Sequence, residues 1–232
     1  MYGRIRILGL VLAVIGLGFV AGGAFTGFKT WEGVQSLAAL SEAQQVKLSY
    51  NEQGQLVDRG KTEGADAIMA LLRDEWKYPV NMADLDPNDP IVNTATEYMY
   101  QMATVTYHTL HSTQTVVLPE DVTAADGTVY KAGTYEFPVD GRYWAEFDRS
   151  NPIEAKAREQ AWTGTAHAII AELGVGTATA TALQLGLAIA ALFAGFGFFA
   201  LVAGLGLVWA VRGATVEERE RKVVLQPRAM PA

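Results

Sequence analysis

The sequence predicts a mainly α membrane protein in which two transmembrane helices flank a helical extracytoplasmic domain with a small antiparallel β element. Three observations lead there. Half of the 232 residues are apolar, the upper end for a soluble chain. They concentrate in two runs without a charge, 22 residues from Ile7 to Phe28 and 38 from Gly174 to Val211. The hydrocarbon core of a bilayer is about 30 Å thick and takes about 20 helical residues to cross, so each run is long enough. The segment between them, Lys29 to Glu172, is acidic, with 22 Asp or Glu against 11 Lys or Arg. The chain thus divides into a tail and first span over 1–28, an α-rich outer domain over 29–173, a second span over 174–211 and a tail over 212–232.

The first run also has features of a cleaved signal peptide, since Arg4 and Arg6 precede it and Gly22 to Ala24 are small enough for a cleavage site. It is longer than the usual signal core of about 7 to 15 residues, so a retained anchor is expected. Cationic residues stay on the cytoplasmic side of a span. Arg4, Arg6, Arg212, Arg219, Arg221, Lys222 and Arg228 stand in the tails against Glu217, Glu218 and Glu220. Both termini are therefore expected in the cytoplasm, with the central domain outside the plasma membrane.

Val34, Leu37, Ala38 and Leu40 continue at helical spacing, so the first helix is expected to run on for several turns beyond its apolar part. Leu48 and Tyr50, then Leu56 and Val57, flank the turn-forming NEQG and suggest a short hairpin. TEGADAIMALLRDEW reads as an amphipathic helix burying Ile68, Leu71, Leu72 and Trp76. Asp89-Pro90 predicts the start of a helix running to about Ser112, with Ile91, Ala95, Tyr98, Met102 and Val105 as its core stripe. From residue 115 to 147, β-formers separated by Asp126-Gly127, Ala132-Gly133 and Asp140-Gly141 predict hairpins. Ser150 or Asn151 before Pro152 predicts a last helix, which GVGTATAT is expected to interrupt before the second span.

His108 and His111 lie three residues apart on the helix face that also carries Glu97, Gln101 and Thr104. Side chains at that spacing meet, so the pair is a candidate metal site with His167 as a third ligand. The competing reading makes the whole stripe a solvated face. The Glu-x-x-His pairs of dinuclear helical sites and the HExxH of zinc proteases do not occur. Asp84, Asp86 and Asp89 lack the glycine and distal glutamate of a calcium loop. The chain has no cysteine, which removes disulfides and thiolate chemistry. The acidic balance argues against nucleic acid as a partner. No GxSxG, P-loop or dinucleotide fingerprint appears after a strand, so neither catalysis nor a cofactor is expected.

Small residues recur at steps of four in the spans: Gly18 and Gly22, Gly23 and Gly27, then Gly186, Ala190 and Ala194, Ala200 and Gly204. Such strips let helices approach closely in lipid, either within the pair or toward other integral membrane subunits. No ionisable residue interrupts either run, so no ion path is expected. Tyr130, Tyr135, Tyr143 and Trp144 suit an interface and equally the core of a small sheet. The expected function is a non-catalytic accessory or assembly subunit of a larger plasma-membrane complex, for example a respiratory or oxygenase assembly. The alternatives are a tethered ligand-sensing domain, with Tyr98, Met102 and Tyr107 lining its pocket, and a histidine-based metal-handling protein.

Overall fold

The computed structural model describes residues 2–225, with side chains to Arg212. It is mostly helical with small antiparallel β elements, and it forms two compact units. One unit joins the chain up to Ser36 with the chain from Ala182 onward, and the other comprises Leu37–Thr181.

The first unit is made of two helices, α1 over Tyr2–Gln44 and α5 over Gly164–Leu225, each of which also contributes residues to the second unit. Both are long and apolar enough to cross a membrane. They pack antiparallel, Gly9 against Gly204 and Gly23 against Ala190.

In the second unit the end of α1 leads into an extended segment that pairs with the chain at residues 90–92. The amide of Leu48 donates to Pro90 at 2.8 Å and that of Val92 to Val46 at 3.0 Å. Tyr50 bridges Leu56 across the NEQG turn as the alternation predicted. A two-residue turn then joins Asp58 to Lys61, with Arg59 and Gly60 both left-handed at φ 49° and 81°. Helix α2, Thr62–Ala70, continues as a wider π turn over Leu71–Glu75 and buries Ile68, Leu71 and Leu72.

Helix α3 spans Ala95–Leu110, five residues later than Asp89-Pro90 suggested. Residues 90–92 are tied to the extended segment instead, and Thr94 with Glu97 forms a reciprocal cap in which each side chain meets the other's backbone. Tyr98 and Ala95 of the predicted stripe are buried, as are Tyr100, Ala103, Thr106 and Leu110 on other faces. The helix is therefore covered on more than one side.

Strands β1 (Thr113–Leu118) and β4 (Gly133–Pro138) pair antiparallel from Thr113 opposite Pro138 to Leu118 opposite Gly133. Between them β2 (Val122–Thr123) and β3 (Val129–Tyr130) form a smaller ribbon. Its turn holds Gly127 at φ 87°, a left-handed value that glycine adopts without strain. Helix α4, Pro152–Ala161, starts as predicted, the Asn151 side chain accepting from the amides of Ile153 and Glu154. Ile68, Leu72, Val116, Val139, Ala103 and Ala157 have no exposed surface and mark the centre of the core.

GVGTATAT does not interrupt a helix; α5 runs through it. A Cβ on Gly176 would lie 2.6 Å from the Tyr98 ring, so the glycine admits the tyrosine against the helix backbone. The Tyr98 hydroxyl shares a 2.8 Å hydrogen bond with Ser41 of α1. The break falls earlier, at Trp162 and Thr163. Beyond Val211 the helix continues to Leu225, and the rest of the expected tail, 226–232, lies outside the described residues.

Candidate functional site

Three places gather the residues that the sequence singled out. The first is the seam between α1 and α5. A Cβ on Gly9 would come within 2.7 Å of the Gly204 carbonyl, on Gly16 within 2.5 Å of the Leu201 amide, and on Gly23 within 2.8 Å of the Ala190 carbonyl. These glycines are seven apart, and so are Ala190, Gly197 and Gly204 opposite them. A seven-residue repeat keeps one seam of each helix on its partner. Of the predicted packing residues, Gly23, Ala190, Ala194 and Gly204 lie in this seam, while Gly186 meets Thr30 and Gly27 touches Ala190. Gly22 only meets the ring edge of Phe193, at 3.7 Å, and Gly18 faces open space. Gly16 and Gly197 escaped the reading at steps of four; a search at steps of seven would have found them.

The second place is the histidine face of α3. His108 Nε2 lies 2.9 Å from an oxygen of Asp58, which the two-residue turn holds opposite. His111 takes the position just past the helix, where its ring folds onto Tyr107 at 4.1 Å and its Nδ1 meets the Tyr107 carbonyl. His167 is elsewhere, edge-on to Trp144 at 5.1 Å, with its Nδ1 at the Thr163 carbonyl. The structure does not bring the three histidines to one point, and no cluster of three or more His, Asp or Glu is gathered among the described residues. Asp58, Arg59, Lys61, Gly64, Tyr107, His108, His111 and Ser112 line a cavity of about 410 Å³. Of the three residues expected to line a pocket, Tyr107 does; Tyr98 is buried against Ser41 and Gly176, and Met102 lies by Gly174.

The same helix carries Glu97, which the stripe placed in solvent and the fold buries to 1% exposure. Its Oε2 accepts from the amides of Asn93 and Thr94 and from the Thr94 hydroxyl. Burial raises its carboxyl above the ordinary glutamate value in spite of those bonds. Nearby, burial and the charge of Glu97 push the Tyr50 hydroxyl up to about 12, and burial together with Asp58 raises Tyr100. Neither hydroxyl has a hydrogen-bond partner among the described residues. Asp84 and Asp86 are engaged locally, accepting from Asn81 and Asn88.

The third place is aromatic. Tyr143 stacks on Trp162 at 5.9 Å and accepts from the Trp76 indole at 3.0 Å. The Tyr135 hydroxyl donates to the Lys131 carbonyl, and Tyr130 packs half-buried against the core. These three belong largely to the fold. Trp144 remains 37% exposed, with the Arg158 guanidinium 3.8 Å above its ring. Two guanidinium nitrogens of Arg158 are buried without a partner among the described residues. No protein-family model, no curated protein and no solved structure matches this chain.

Proposed function

We propose that the chain is a plasma-membrane protein whose helix pair spans the bilayer and carries the second unit outside, both termini being cytoplasmic. In this reading it is a non-catalytic accessory or assembly subunit of a larger complex, for example a respiratory or oxygenase assembly. The observation that carries the reading is the outer surface of the helix pair. Only 22% and 11% of the most apolar windows are buried, unlike the core helices of a soluble protein. Phe25, Phe28, Phe196, Phe198 and Phe199 stand 59–72% exposed, a surface that lipid or apolar protein would cover.

The placement of tryptophan supports the same reading. Because Gly204 faces Gly9, Trp209 is level with about Arg4. At 1.5 Å per residue Trp31 lies about 40 Å from that level, close to the roughly 40–45 Å of a bilayer with its headgroups. Tryptophan favours those two interfaces. Both indoles are exposed, at 56% and 79%.

Assembly with other subunits is favoured by Gly18, Gly195 and Gly206, where a Cβ would meet nothing within 4 Å. They lie outside the seam and are smooth points for a further helix. Purification in mild detergent with mass spectrometry tests the proposal. Other integral membrane polypeptides are expected in constant ratio, and a monodisperse species free of any other polypeptide would overturn it.

A further inference from the structure

We propose that the cavity between the Asp58 turn and the end of α3 is a binding site for a small organic phosphate. Its chemistry opposes that of its surroundings. The segment from Lys29 to Glu172 has twice as many acidic as basic residues, yet this wall presents Arg59, Lys61, His108 and His111 against a single carboxylate, Asp58. That carboxylate is already engaged by His108 at 2.9 Å.

Among the described residues, three other cations of the unit have acidic partners, Lys131 with Asp121, Arg142 with Glu154 and Lys156 with Glu159. Arg59 and Lys61 make no ion pair among the described residues. Arg59 also occupies a left-handed position of the turn, at φ 49°, which asparagine or glycine fills with less strain.

The pairing of an arginine fork with a lysine point charge suits phosphate. Lys61 is also the N-cap of α2 and offers no side-chain cap, and the Asp58 carboxylate stands over Gly64 in the first turn. The volume of 410 Å³ lies within the roughly 300–1,000 Å³ of small-molecule sites, and the Tyr107 ring adds an apolar wall. An organic ester fits this better than a bare ion. The inference stands apart from the accessory-subunit reading, since the site would exist whether or not other subunits bind.

The chain has three histidines, so isotope-labelled histidine in the full chain, in phosphocholine nanodiscs, gives three resolvable ring signals. Glycerol phosphate and inorganic phosphate are titrated in turn. The expected result is saturable movement of the His108 and His111 signals with His167 still, and tighter binding of the ester. Arg59→Ala with Lys61→Ala, both exposed positions, should leave the free His167 signal in place and weaken binding by about tenfold or more, as expected for lost charge-assisted bonds. Equal movement of all three signals, no saturation, or unchanged affinity in the double variant would overturn the site. Preference for the inorganic ion would overturn the organic ligand. Movement on changing only the disc lipid to phosphatidylglycerol would assign the phosphate to a headgroup and overturn a free solute.

Discussion

Glu97 shows how one residue can be misplaced by a pattern and recovered by a motif. Its spacing with Gln101, Thr104 and His108 suggests a wet face, yet Thr94 and Glu97 are also the T-x-x-E of a capping box. The cap prevails because it satisfies three donors around one carboxylate oxygen. Burial still raises the carboxyl, so the native chain holds that proton more tightly than the unfolded chain does. The stability it contributes is full below the ordinary glutamate value of about 4.3 and is lost as pH rises through the raised native value. Glu97→Gln does not titrate there. The stability of the wild type minus that of the variant should therefore fall as pH rises above the ordinary glutamate value, as read from denaturant midpoints at each pH. The exposed aspartates with lowered values, Asp121, Asp126 and Asp148, act in the opposite sense, but they are present in both proteins and cancel. A difference that stays flat or grows would show that hydrogen bonding to the carboxylate outweighs its burial.

Among the elements, the long helices were legible from apolar length alone, and α4 from Asn151-Pro152. Helix α5 was cut short because GVGTATAT looks like a loop; only the tertiary contact of Gly176 with Tyr98 explains why glycine sits inside a helix there. The π turn after α2 left no mark in the side-chain pattern. The cavity was half legible: the His108 and His111 spacing drew attention to one wall, but no local rule connects it to Asp58, fifty positions away. In the seam the four-residue motif found part of a seven-residue pattern. This separates two substitutions that look alike in sequence. Gly16→Val would drive a side chain into the Leu201 amide and Gly197 carbonyl, whereas Gly18→Val enters open space. Overpacking of this kind costs about 1–3 kcal/mol. Gly16→Val should lower the unfolding temperature of the chain purified free of other polypeptides, and Gly18→Val should leave it near wild type. Equal effects would show that the seam glycines do not hold the pair together.

At the scale of the whole molecule, the proposed orientation makes a prediction that the composition renders easy to read. The chain contains no cysteine, so each single substitution gives one thiol and no background. Gln53 is exposed in the turn of the second unit, and Gly3 stands in open space near the start of α1. A thiol reagent that cannot cross membranes, applied to intact cells, should label Gln53→Cys and spare Gly3→Cys and Ala229→Cys. After the membrane is opened all three should react. The physical basis is the charge rule, under which the basic flanks of both apolar runs would be held on the cytoplasmic side and the acidic middle translocated. Labelling of Gly3→Cys but not Gln53→Cys in intact cells would invert the topology. Labelling of just one of the two terminal positions would mean an odd number of crossings, which a pair of spanning helices cannot produce.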